Sequence, residues 1–141
     1  DVLGYKVMMS DREKTAIDCI DRQELAGGIG EAATILATAS RRFDWRKAGD
    51  YLDRIGSGAL IRRFGWLADH AHAEMPTGLR THLVQQARRS RQTWLGSDPA
   101  RARVEGAIGF DGIWRVFVNV TARELSESAG LGRSKKPDKE R

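Results

Sequence analysis

The sequence predicts an α+β fold in which a central run of about five helices packs on a small sheet formed by N-terminal and C-terminal strands. A run rich in β-forming residues, VLGYKVMM at 2–9, precedes helical apolar patterns that continue to about Arg89. Alternating apolar residues, typical of a strand, return in IWRVFVNV at 113–120. Because strands stand on both sides of the helices in the chain, we expect them to meet in one sheet against the helical layer.

Length and composition indicate one globular domain. The 141 residues suit a single core, and 40% hydrophobic with 30% charged residues is the balance of a folded protein. We expect this domain to span 1–125 and the basic segment 126–141, which has no periodicity, to be a disordered tail. No apolar run is long enough for a membrane span, and one cysteine excludes an internal disulfide. A cytoplasmic location is therefore expected.

The first helix is predicted over about 11–21 from a capping signal and an apolar stripe. Ser10, with Glu13 three residues on, forms the S-x-x-E pattern of a capping box. Lys14 and Asp18 are spaced as a surface ion pair, whereas Cys19 falls on the apolar face, where a thiol loses reactivity. These reactive residue types therefore favour structural roles over an active site.

Four further helices are predicted from apolar residues at helical spacing. The second runs from about Gly30 to Arg42, after a break at LAGGIG. Asp44 and Ser57 are N-cap candidates for the third and fourth helices, and Pro76 suits the first turn of the fifth. Their inward stripes are Ala32, Ile35, Leu36 and Ala39; Trp45, Ala48, Leu52 and Ile55; Leu60, Phe64, Leu67 and Ala71; and Leu79, Leu83 and Ala87.

Strands are predicted in the last third of the domain. RQTWLG at 91–96 reads as a short strand, and the Asp111-Gly112 pair is a hairpin turn signal. The strand that follows, 113–120, should place Trp114, Val116, Val118 and Val120 on one face.

The remaining candidates for chemistry lack the required spacing. A helical zinc pair needs ligands at i and i+4, whereas His70 and His72 are two residues apart and point in different directions. LAGGIGE lacks the Gly-Lys-Ser/Thr end of a phosphate-binding loop, and no acidic pair that could hold magnesium follows GSGA. We expect no catalytic residue, no metal and no cofactor.

One constellation indicates a recognition surface for protein or nucleic acid. On the fourth helix, four side chains fall opposite the apolar stripe: Arg62, Arg63, Trp66 and His70. The pattern fits equally well a central helix that packs on both sides. Near the junction of the second and third helices, Arg41, Arg42 and Arg46 are candidates for phosphate contacts, together with the tail.

The first helical segment also resembles a known family. The stretch VMMSDREKTAIDCIDRQELAGGIGE resembles the strand-to-helix segment in the C-terminal domain of AbiEi-family antitoxins. The matching residues are Val7, Ser10, Asp11, Glu13, Lys14, Thr15, Asp18, Cys19, Gly27 and Gly28. IGSGALIRRFGWLAD and WRVFVNV are similar to later landmarks of the family, so that the resemblance covers about 5–120.

The resemblance implies a non-enzymatic antitoxin of a type IV toxin–antitoxin or phage abortive-infection pair. Its partner would be a nucleotidyltransferase-like toxin, antagonised without a tight direct complex. In the family a separate N-terminal winged-helix domain binds promoter DNA and regulates transcription. This chain opens at Asp1 without that domain, so we expect DNA recognition to belong to a longer parent protein. The alternatives are a stand-alone basic nucleic-acid-binding module and, third, a small hydrolase or transferase.

Overall fold

A computed structural model describes residues 11–89, 92–96 and 105–126. The described helices are α1 (Arg12–Asp21), α2 (Ile29–Ala39), α3 (Trp45–Ile55), α4 (Gly58–His70) and α5 (Thr77–Ala87), with a further helical turn at 122–126. The strands are β1 (Thr93–Trp94), β2 (Ala107–Asp111) and β3 (Val116–Thr121). No helix in these ranges has both the length and the apolar character needed to cross a membrane.

The three strands form one small sheet in the order β1-β3-β2. β1 runs parallel to β3, whereas β2 and β3 form an antiparallel pair around the predicted Asp111-Gly112 turn. The predicted α+β class, with helices packed on a small sheet, is confirmed. The predicted N-terminal strand at 2–9 and the tail beyond 126 lie outside the described residues.

Helix α4 is the centre of the domain. It contacts α1, α2, α5, β1 and β3, and Leu60, Phe64 and Leu67 of its predicted stripe are fully buried. The predicted apolar stripes of the neighbouring helices also face inward. Their buried members are Ala32, Leu36, Ala48, Leu52, Leu83 and Ala87. Ile55 is an exception, with 43% of its surface exposed, because it is the last residue of α3.

Two of the three predicted helix caps are confirmed. The side chain of Asp44 accepts a hydrogen bond from the N–H of Lys47 at 3.2 Å, and that of Ser57 accepts one from Leu60 at 3.2 Å. The predicted capping box of α1 is wrong, because the helix has a different N-cap and Glu13 bonds another helix. Asp11 is the N-cap, with a 3.2 Å bond from the Lys14 N–H, and Ser10 lies outside the described residues.

Glu13 makes a contact with another helix instead of the predicted capping-box contact. Its side chain is 2% exposed, and its Oε2 accepts a 2.7 Å hydrogen bond from the backbone N–H of Asp44. Glu13 therefore joins α1 to the start of α3, which lies 31 residues further along the chain. Packing of the two helices brings this distant donor within reach.

The ends of two other elements also differ from the prediction. Helix α2 ends at Ala39, and residues 40–42 form a 3-10 turn, because a tighter turn leads the chain into the cap of α3. Strand β3 begins at Val116, so Trp114 belongs to the hairpin turn. Val116, Val118 and Val120 do form the core face, and Trp114 is also buried at 1% exposure.

Asp69 holds α4, α5 and the hairpin together. Its carboxylate accepts hydrogen bonds from Arg80 at 2.8 and 3.2 Å and from the indole N–H of Trp114 at 2.8 Å. Burial raises the pKa of Asp69, but these hydrogen bonds and the charge of Arg80 outweigh it, and the net pKa is lowered. The charged form of Asp69 is therefore favoured in the folded state.

We predict that Asp69→Asn reduces the free energy of unfolding by about 1 kcal/mol at neutral pH, a figure discounted for the partial exposure of the pair. Because the folded pKa is lowered, the wild-type advantage should be complete above the unfolded pKa of about 4 and disappear as pH falls through the folded value. Urea titrations of both proteins across this range measure it. An advantage that persists unchanged in strong acid would contradict the role of the carboxylate charge.

Candidate partner and nucleic-acid surface

The structure divides the predicted surface on α4. Arg62 is 2% exposed, so its placement on a solvent face was wrong. Its Nε donates to the carbonyl of Ala87 at 2.9 Å and its Nη1 to the hydroxyl of Thr93 at 2.6 Å. Burial, and then the charge of Arg115, lowers the pKa of Arg62. Because α4 lies at the centre of the domain, these hydrogen bonds link it through Arg62 to the end of α5 and to β1.

Arg63 is also used inside the domain. Its side chain is half-buried, and its Nε donates to the carbonyl of Trp94 at 2.7 Å. Burial lowers the pKa of Arg63, and the charge of Asp21 opposes the shift. The helix was interpreted either as a recognition surface or as a central helix that packs on both sides. The second interpretation applies to Arg62 and Arg63.

Trp66 and His70 remain as the accessible part of the predicted surface. Their rings stack with centroids 4.9 Å apart and an interplanar angle of 12°. Trp66 is half-buried and His70 is exposed at the end of α4. Desolvation, and then the charge of His72, lowers the pKa of His70, which favours the neutral form of its ring. This pair forms an accessible aromatic contact surface at the end of α4.

The predicted phosphate contacts lie together at another edge of the domain. Arg41 and Arg42 are exposed in the 3-10 turn, and Arg46 is exposed in the first turn of α3. A fourth member joins from α1, because Nη1 of Arg12 donates to the carbonyl of Arg42 at 3.1 Å. We call these four residues the arginine edge. Within the described ranges, none of the four has a carboxylate at ion-pair distance.

A cleft of about 600 Å³ adjoins the arginine edge. It lies between the end of α2, the start of α3 and the turn after α4, and the lining side chains include Ser40, Arg41, Phe43, Trp45, His72 and Glu74. We call it the Trp45 cleft. Its volume is within the range of about 300–1,000 Å³ common for small-molecule sites.

The turn after α4 places His72 in the cleft. The N–H of His72 bonds the carbonyl of Asp69 at 3.0 Å, and that of Ala73 bonds Ala68 at 2.9 Å, which is the Schellman pattern of helix ends. Such a turn needs a left-handed residue, and His72 supplies it with φ of 57°. Glycine is the usual residue there, so a histidine in this conformation carries a conformational cost.

The remaining residues of the α1 motif are structural. Lys14 and Asp18 form the predicted ion pair at 2.8 Å, and the hydroxyl of Thr15 donates to the carbonyl of Asp11 at 3.1 Å. Cys19 is buried as predicted, and burial raises the pKa of its thiol, followed by the charge of Asp18. These contacts assign the described residues of the motif to folding.

The sequence patterns did not predict the row of aromatic side chains on the outer face of the sheet. The register places Phe117 beside Trp94 on one side and Phe110 on the other, and the rings of Trp94 and Phe117 are 4.8 Å apart. Phe110 is 48% exposed, and Ile108 and Ile113 are 45% and 46% exposed. Alternation around Val116 and Val118 predicted the face, but only the strand order puts the rings side by side.

No group of three or more histidine, cysteine or acidic side chains in 11–89, 92–96 and 105–126 is arranged to hold a metal ion. Comparison with known proteins identifies no relative: no protein-family model, curated protein or solved structure matches the chain.

Proposed function

We propose that this chain is the toxin-antagonising C-terminal part of an AbiEi-type antitoxin, acting without enzymatic chemistry in the cytoplasm. The supporting observation is the α1 motif, whose sequence resembles that family and whose described side chains serve the fold. Asp11 caps α1, Glu13 bonds the start of α3, and Cys19 is buried. The parent protein would bind promoter DNA through a winged-helix domain and so regulate its own operon.

An antitoxin needs an accessible surface, and the stacked pair of Trp66 and His70 is our candidate for it. The two rings form an amphipathic patch at one end of α4. Such aromatic patches carry much of the energy in protein recognition. The contact with a nucleotidyltransferase-like toxin need not be a stable complex for antagonism.

The test is growth rescue in cells that express the neighbouring toxin, with this chain supplied from an independent promoter. We expect the wild-type chain to restore growth and the Trp66→Ala/His70→Ala variant to lose most of the rescue. Gln85→Ala, an exposed change on α5, is the matched control. Failure of the folded wild-type chain to rescue contradicts the antitoxin proposal, whereas full rescue by the double variant contradicts only the assigned surface.

The arginine edge favours a second candidate function, a basic nucleic-acid-binding module. It concentrates four guanidinium groups, and none of them forms an ion pair with a described carboxylate. Guanidinium groups arranged in this way suit phosphates, and each phosphate contact adds to the salt dependence of binding.

Fluorescence anisotropy with duplex DNA between about 50 and 200 mM salt tests this candidate. We expect the Arg41→Ala/Arg42→Ala/Arg46→Ala variant to bind more weakly, with a salt slope smaller by roughly 2–3. Arg54→Ala, an exposed change at the far end of α3, should leave the slope unchanged. Binding without salt dependence, or binding lost on deletion of 133–141 alone, contradicts a role for the folded domain.

A further inference from the structure

The Trp45 cleft joins an aromatic wall, a cationic rim and a carboxylate. We propose that this cleft binds a nucleotide, with the base against the indole of Trp45 and the phosphate beside Arg41. The nucleotide is either a free molecule or an unpaired unit of a nucleic-acid strand. This site requires neither the antitoxin role nor duplex binding.

The aromatic wall is held in place by the core. Trp45 packs edge-to-face on Phe43 at 4.9 Å and on Phe64 at 6.4 Å, and it remains half-buried beside the cleft. Phe64 is fully buried in α4, and its ring contacts the rings of both Phe43 and Trp45. A preorganised indole that lines an open cleft is a stacking partner for any base, because every base has a π face.

The cationic rim of the cleft supplies the donors for a phosphate. Arg41 lines the cleft itself, and Arg42 and Arg46 flank it in the 3-10 turn and in α3. Arg12 adds a guanidinium through its bond to the carbonyl of Arg42. Two carboxylates at this edge accept hydrogen bonds from the backbone, since Asp44 caps α3 and Glu13 bonds the Asp44 N–H. A phosphate beside Arg41 therefore meets several guanidinium donors.

The turn after α4 brings to the cleft the groups that can bond the edge of a base. Glu74 and His72 both line the cleft from the turn after α4. A carboxylate accepts hydrogen bonds from the amino groups of bases and repels phosphate, so it orients the ligand with its base inward. The left-handed backbone of His72 places an imidazole where glycine would be favoured by conformation alone. A ligand with a polar ring at one end and a phosphate at the other matches this arrangement.

The experiment titrates the full chain, labelled with nitrogen-15, with the four ribonucleoside 5′-monophosphates and with ribose 5-phosphate. Short single-stranded RNA and DNA oligonucleotides and the same DNA as a duplex are the other probes. We expect mononucleotides or single strands to shift the Trp45 indole signal and the amides of 40–43 and 71–74. If both probe classes shift these signals, the cleft accepts a free nucleotide as well as a unit of a strand. If only mononucleotides or only single strands do so, that class is the source of the ligand.

Three variants separate binding from folding. Arg41→Glu, at an exposed position, should weaken nucleotide binding at least about tenfold, whereas Arg54→Glu is the matched control and should not. Trp45→Leu should weaken it about 5–150-fold, the range of a lost stacking contact. His72→Gly should raise Tm by about 2–4 °C, because it relieves a left-handed histidine, and still weaken binding.

Several results would overturn the proposal. One is that no probe shifts the Trp45 signal, and another is that ribose 5-phosphate binds as well as the nucleotides. Equal binding of duplex and single strand would also exclude an unpaired base in the cleft. Unchanged affinity in both Arg41→Glu and His72→Gly would place any nucleotide elsewhere, whatever the effect of Trp45→Leu on folding.

Discussion

Gly65→Ala is expected to reduce the free energy of unfolding by at least about 2 kcal/mol, although alanine is the better helix former. Gly65 lies inside α4, where a Cβ atom would overlap the ring of Trp114 far within van der Waals distance. The indole cannot move aside, since it is buried and its N–H bonds Asp69. The guanidinium of Arg80 lies 5.5 Å from the ring centroid and confines it further. Urea denaturation measures the loss.

A matched glycine and a second background isolate the cause of that loss. Gly78→Ala, in α5 with open space around its Cβ, should stabilise the domain by about 0.5–1 kcal/mol. In a Trp114→Leu background, which lacks the large ring, Gly65→Ala should cost far less than in the wild type. An equal cost in both backgrounds would show that the indole is not what excludes a side chain at Gly65.

Arg62→Ala is expected to cost about 2–4 kcal/mol, because it removes two buried hydrogen bonds and leaves a cavity beside α4. The bonds to Ala87 and Thr93 tie the end of α5 and the start of β1 to the central helix. Arg62→Lys should recover only part of the loss, since an ammonium cannot reproduce the planar fork of the guanidinium. Thermal and urea unfolding of the three proteins measures these differences.

Arg88→Ala is the control, because Arg88 is an exposed arginine that follows α5. It should change the free energy of unfolding by less than about 0.5 kcal/mol. A stability of Arg62→Ala close to that of the control would mean that Arg62 leaves its buried position in solution. The arginine would then be available to a partner, as the first interpretation of α4 held.

Local signals predicted the helices well. The caps at Asp44 and Ser57 are contacts within three residues, and the inward stripe of α4 follows helical periodicity, so the sequence displays both directly. The alternation in β3 likewise identified Val116 and Val118 as core. These features follow from backbone geometry and burial, and no knowledge of distant neighbours is needed to read them.

The capping-box pattern occurs twice in the chain, and the sequence alone does not show which of the two forms a capping box. The S-x-x-E pattern at Ser10 and Glu13 predicted a capping box, yet Glu13 bonds the backbone of Asp44. The same type of pattern at Thr121 and Glu124 does form one. The Glu124 N–H bonds the Thr121 hydroxyl at 3.0 Å, and the Glu124 carboxylate accepts from the Thr121 N–H at 2.9 Å. The difference lies in whether a neighbouring helix offers the carboxylate a buried donor.

The sequence alone determined the class of fold, the helical segments, most of their inward faces and the resemblance on which the proposed function depends. Only the tertiary structure decided that Arg62 is internal, that Gly65 faces an indole and that Arg12 joins the arginine edge. Helical periodicity assigns a residue to one side of its own helix, but it does not reveal whether a second layer covers that side. In this domain α5 and the sheet cover the far side of α4, and Arg62 and Arg63 therefore make internal contacts.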